Sequence, residues 1–122
     1  MYINRLNTMC RFAVSLVDKN DYPLLILSGF NVTENTLEIN AIVDQNIKTR
    51  IENLRTVINQ IKSVIKNNTE SDNILCYIDS KFNTAKKLME FMGFKKATTF
   101  DKFYTKEKDN SIDLYRINRE EL

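Results

Sequence analysis

The chain contains no histidine. That removes the usual general base, any Ser–His or Cys–His dyad and the commonest transition-metal ligand, so neither a triad hydrolase nor a zinc site is expected. The two cysteines, Cys10 and Cys76, stand in apolar, strand-like runs and read as reduced core thiols rather than a disulfide or metal pair. The remaining reactive groups are mostly cationic. Lys48, Arg50, Arg55, Lys62 and Lys66 stand against Glu52 alone over residues 48–66, and Lys81, Lys86, Lys87, Lys95 and Lys96 against Glu90 over 81–96. Such clusters could meet phosphate, but at this spacing they read first as the solvated faces of two helices. The net charge of +2 is too small to argue for nucleic acid, and no aromatic residue interleaves the first cluster, so nucleic acid is not expected as a partner.

The elements that position these groups follow from periodicity. The most informative stretch is 74–94. Ile74-Leu75-Cys76-Tyr77-Ile78 is a short apolar run between turn formers and predicts a buried strand. Ala85, Leu88, Met89 and Met92 then recur at helical spacing. Asn83 is placed to cap that helix, and Gly93 follows where a left-handed C-terminal residue is needed. Upstream, residues 9–17, 22–28 and 37–43 predict three strands joined by turns at 18–21 and 31–35, with Gly29 at the end of the second strand in a bulge. Asp44 stands as an N-cap before Ile47, Ile51, Leu54, Ile58, Ile61 and Ile65, one apolar stripe on a helix of about five turns. Residues 95–104 and 111–117 predict the last two strands, and the polar end 118–122 is expected to fray.

The order βββ-α-β-α-β-β implies an α+β (α/β-like) fold with a mixed, mostly antiparallel sheet and helices packed on it. The 122 residues suffice for one domain with its own core. There is no signal peptide and no apolar run of membrane-spanning length, so neither secretion by a leader nor a membrane span is expected.

This order, with the segment Asn83-Thr84-Ala85-Lys86-Lys87-Leu88-Met89-Glu90-Phe91-Met92-Gly93-Phe94, resembles the GNAT acyltransferase superfamily. The resemblance implies a GNAT-like topology over roughly residues 9–117 in a single domain, 1–122, with shortened N-terminal elements. It also implies acetyl-CoA held at a glycine-bearing turn between the third strand here and the long helix, where bare N–H groups meet the diphosphate. The matching stretch, residues 44–53, has no glycine. Ile51 and Asn53 fill the positions of the family's small residues, leaving Lys48 and Arg50 as phosphate-attracting candidates, with Asn83 one residue from the family's asparagine. The family's acid, a tyrosine four residues before the motif glycine, corresponds to Met89, and a thioether cannot protonate a thiolate. For an enzyme, water or Tyr77 would have to replace that acid, and Glu38 or Asp44 is the candidate base.

A fold kept while cofactor turn and acid are lost is similar to the small non-catalytic GNAT-like phage proteins of the internal virion protein A type. Asn, Ile and Lys supply 40 of 122 residues, the mark of A/T-rich codons, which agrees with such an origin. The leading expectation is therefore a virion component or virion-assembly factor in the virion or host cytoplasm. It would bind other virion proteins, with a homo-oligomer left open and no cofactor. The alternative is an acetyl-CoA-dependent N-acetyltransferase with a divergent turn. The two are separated by the chain between Val43 and Leu54: a splayed gap between strands favours the enzyme, a filled one the scaffold.

Overall fold

The computed structural model describes residues 11–50, 53–101 and 111–122, the side chains of Lys48 and Arg50 excepted. The first strands are β1 (Phe12–Val17), β2 (Pro23–Thr33) and β3 (Thr36–Val43). Helices α1 (Ile47–Arg50) and α2 (Leu54–Asn67) follow, then β4 (Asn73–Asp79), α3 (Asn83–Phe91), β5 (Lys95–Asp101) and β6 (Ser111–Asn118). The six strands form one sheet in the order β1-β2-β3-β4-β6-β5, antiparallel throughout except for β3 beside β4. This is the mixed α+β architecture that the sequence order implies.

The sheet buries one face. Phe12, Leu25, Leu27, Leu37, Ile39, Ile74, Cys76, Tyr115 and Ile117 alternate into it. Ile58, Ile61 and Ile65 of α2 and Ala85, Leu88 and Met89 of α3 close over them in one cluster. Each fully buried aliphatic side chain there contributes about 1.5–3 kcal/mol. The other face carries Ile26, Ile42 and Tyr77, which are exposed.

Four expectations are corrected. The predicted five-turn helix is two helices. Asn53 takes an extended φ of −134° and breaks the helix, because its side-chain oxygen accepts Thr56 N–H at 3.1 Å and restarts it as an N-cap. Asp44 opens a turn rather than capping a long helix: its Oδ1 accepts Asn46 N–H at 2.7 Å. Gly29 lies inside β2 with unbroken register, opposite Phe12 and Ile39. A Cβ there would sit 2.5 Å from Phe12 Cε1, so the glycine makes room for a ring. The chain end does not fray. Residues Arg119–Glu121 form a 3-10 turn. Arg119 donates through Nε to Thr69 O at 2.9 Å and through Nη2 to Lys66 O at 3.1 Å, which satisfies carbonyls at the end of α2.

At the end of α3 the expectation holds. Gly93 has φ +98°, its N–H donates to Glu90 O and that of Phe94 to Met89 O, both at 3.0 Å. These are the two hydrogen bonds of a Schellman cap, and they turn the buried Phe94 back onto Met89. Cys10, Ile51 and the end of the strand expected over 95–104 lie outside the described residues.

Candidate functional site

Strands β3 and β4 pair from Thr36↔Asn73 to Ile39↔Cys76 and then part, although β3 runs on to Val43 and β4 to Asp79. The parity of the backbone shows what faces the gap. Asp44 N–H donates to Leu24 O on the β2 side, whereas Asn35 O accepts Asn73 N–H on the β4 side. Even-numbered residues of β3 therefore bond to β2, and odd-numbered ones turn their peptide groups toward β4. Beyond Ile39 those are Ala41 and Val43, whose N–H and C=O groups point into the space that β4 has left.

A cleft of about 540 Å³ occupies this space. Ala41, Ile42 and Val43 of β3 form one wall, Gln45 and Asn46 the turn end, and Lys81 to Ala85 at the start of α3 the other. Asn83 lines the cleft because it does not cap the helix. The N-cap position is Phe82, and among the described residues no side chain caps it and no acid stands in the first turn. Asp79 Oδ1 instead takes Lys81 N–H at 2.9 Å, one turn earlier. Asn83 N–H already donates to Lys81 O at 3.0 Å, so what borders the cleft is a helix start without a side-chain cap, carrying the positive end of the helix dipole beside Thr84 and Ala85.

Glu38 and Tyr77 sit on the other face of the sheet, at the apex where the strands part. Glu38 opposes Phe30 on β2 and Leu75 on β4, and Tyr77 is two residues beyond Leu75, so the two side chains are diagonal neighbours across the apex. Burial beside these apolar neighbours raises the Glu38 carboxyl above its ordinary value of 4.5. Tyr77 is 43% exposed. Asp44 is committed to its own turn. Met89 is fully buried and offers no proton. Lys48 and Arg50 lie on α1, their side chains outside the described residues.

Periodicity did not find the polar groups beneath α3. Asp113, which interrupts the alternation of β6, faces the core and is 2% exposed. Its Oδ1 accepts Thr99 Oγ1–H at 2.7 Å and Ser80 Oγ–H at 2.9 Å. Its Oδ2 lies 3.0 Å from Lys86 Nζ and forms an ion pair with it. Burial works to raise this carboxyl, but the contacts with Thr99, Lys86 and Ser80 and the charge of Lys86 outweigh it and hold it below 3.8. Tyr115, also buried, donates its hydroxyl to Glu90 Oε1 at 3.1 Å, and burial first, then Glu90 and Asp113, push it up to about 12. Burial, helped by the charge of Glu38, likewise pushes the free Cys76 thiol up to about 12 and leaves it inert as a nucleophile. A charged residue that breaks a strand's alternation next to a Lys-bearing helix is the one signal that could have flagged Asp113.

No family model matches the sequence, and no curated protein matches it. Solved structures do. The ribosomal-protein-S5-alanine acetyltransferase from Vibrio fischeri superposes with a TM-score of 0.68 at 17% identity, over 97% of this chain and 66% of its own. Spermidine N-acetyltransferase from Vibrio cholerae, in complex with CoA and spermine, gives 0.72 at 13% identity, over 98% of this chain and 72% of its own. A GNAT-family acetyltransferase from Bacillus anthracis gives 0.66 at 18% identity, over 98% and 72%. The chain thus has the GNAT fold and spans about two thirds of the length of the Vibrio fischeri enzyme. At these identities the likeness concerns the fold alone.

Proposed function

We propose that this chain is an acetyl-CoA-dependent N-acyltransferase. The observation that carries this reading is the parting of β3 and β4 after Ile39, with the peptide groups of Ala41 and Val43 turned into the cleft. An extended pantetheine arm carries amide groups along its length, and such an arm adds to β3 as a strand would, N–H to C=O. Asn83 and the open start of α3 complete that end. The diphosphate end departs from the family form. Asn53 already satisfies Thr56 N–H, so the start of α2 is not a bare anion cradle.

The cofactor, when bound, supplies an acyl group activated as a thioester. The protein's own part falls to Glu38 and Tyr77. A carboxylate whose proton affinity is raised by burial is suited to take the proton an attacking amine sheds, and the tyrosine hydroxyl to return one to the departing sulfur. Met89 does not serve, since it is a buried thioether. Titration calorimetry with acetyl-CoA tests binding, and release of free CoA thiol in the presence of polyamines and N-terminal peptide amines tests transfer. Glu38→Gln is expected to lower kcat about a hundredfold while acetyl-CoA binding is kept. Absence of binding at millimolar acetyl-CoA would end this reading.

A second reading is favoured by Met89 at the acid position and by the self-capped start of α2. Here the chain is a non-catalytic GNAT-fold protein acting through protein contacts, as a virion or assembly factor does. The comparisons back the acyltransferase and lend the virion role no support.

A further inference from the structure

Strand β5 is an edge of the sheet, and all seven of its residues, Lys95–Asp101, are exposed on both faces. Ser80 N–H donates to Ser111 O and Arg119 N–H to Asp72 O, so odd-numbered residues of β6 bond to β4 and even-numbered ones to β5. The partners of Ile112, Leu114 and Arg116 are Phe100, Thr98 and Lys95. Their peptide groups therefore point inward. The register shifts between Lys96 and Thr98, which places a bulge at Lys96–Ala97. Thr99, Asp101 and this bulge consequently turn their peptide groups out from the sheet edge.

We propose that β5 pairs antiparallel with β5 of a second copy of this chain, about a twofold axis at Thr99. In that register the outward peptide groups of Thr99 meet their own copies, and Asp101 meets the Lys96–Ala97 bulge of the other chain. Lys96 shares the face of Tyr115, and Asp101 alternates onto the same face as Thr99, so the pairing sets Lys96 against Asp101 of the second copy, twice. On the opposite face it sets Thr98 against Phe100, again twice. The sequence KKATTFD is thus complementary to itself when reversed. The interface is isologous and uses the one β5 edge of each chain, so it closes at two copies rather than growing into a fibre. Lysines and a bulge guard against open-ended edge pairing, and here the same devices fix one register.

Sedimentation equilibrium of the full chain over about 1–500 µM tests the proposal, since one strand pair makes a small interface and a weak, concentration-dependent dimer. Lys96→Asp and Asp101→Lys each turn both cross-pairs repulsive and are expected to weaken the dimer about tenfold, and the double swap K96D/D101K to restore it to within about threefold. Lys95→Asp, a reversal of the same size whose peptide groups face inward, is expected to change the constant by less than about threefold. All three substituted positions are exposed, so circular dichroism should report the native fold throughout. A monomer at every concentration overturns the proposal. So does a dimer that ignores both single reversals, responds equally to Lys95→Asp, or is not restored by the swap.

Discussion

The starts of α2 and α3 are built in opposite ways. At α2 the chain supplies its own cap: Asn53 bonds Thr56 N–H and the helix end is satisfied from within. At α3 no described side chain caps the helix, Asn83 turns to the cleft, and the first turn is held from below through Lys86 and Ser80 on the buried Asp113. A helix end fixed locally has little left for a ligand. One fixed from beneath leaves the side chains of its first turn beside the cleft. The two asparagines thus exchange the parts that their positions in the sequence suggest.

The largest effect should come from removing the support under α3. Asp113→Ala leaves Ser80 and Thr99 without their shared acceptor and Lys86 without its counter-ion, and should cost about 3 kcal/mol in urea unfolding at pH 7. Asp113 is held below its unfolded value of 3.8, so its stabilisation is complete above that pH and is lost as pH falls through the folded value. The gap between variant and wild type should therefore narrow on acidification below 3.8. A gap that stays constant with pH would mean that the carboxylate is not the anchor.

A smaller effect is expected at α2, where Asn53→Ala removes the cap and should cost about 1 kcal/mol of stability. Acetyl-CoA affinity should change little. A clear gain or loss of affinity would show that the start of α2 meets the ligand after all. The smallest stability change belongs to Asn83→Ala, below about 0.5 kcal/mol because nothing is uncapped. It should nonetheless weaken acetyl-CoA binding several-fold in calorimetry. If Asn83→Ala proves as destabilising as Asn53→Ala, the contrast between the two helix starts fails.

Much of the fold was legible. The alternation in 37–43, the short apolar run 74–78, and the Gly93-Phe94 signature each fix a local structure by steric rules that need no partner. The two misread helix starts share a cause. An asparagine before an apolar stripe is a good cap wherever it stands, and only the loop around it decides whether its oxygen reaches the N–H two or three residues on. Gly29 was misread for a related reason, since the ring that excludes a Cβ comes from another strand. The site was less legible than the fold. Glu38 and Tyr77 could be named, but nothing in their spacing says that they stand diagonally across the apex of a gap.

The sequence by itself determined which segments are strands and helices, which face of each is apolar, and that no histidine chemistry is available, because these depend on residue type and on neighbours a few positions away. Only the tertiary structure decided where β3 and β4 part, that Asp113 is buried and paired, and that Arg119 fastens the chain end to α2. Those outcomes depend on backbone hydrogen bonds and desolvated charges between residues on different elements, far apart in the sequence, and a peptide group carries no mark in the sequence of whether it will meet a neighbouring strand or an open cleft.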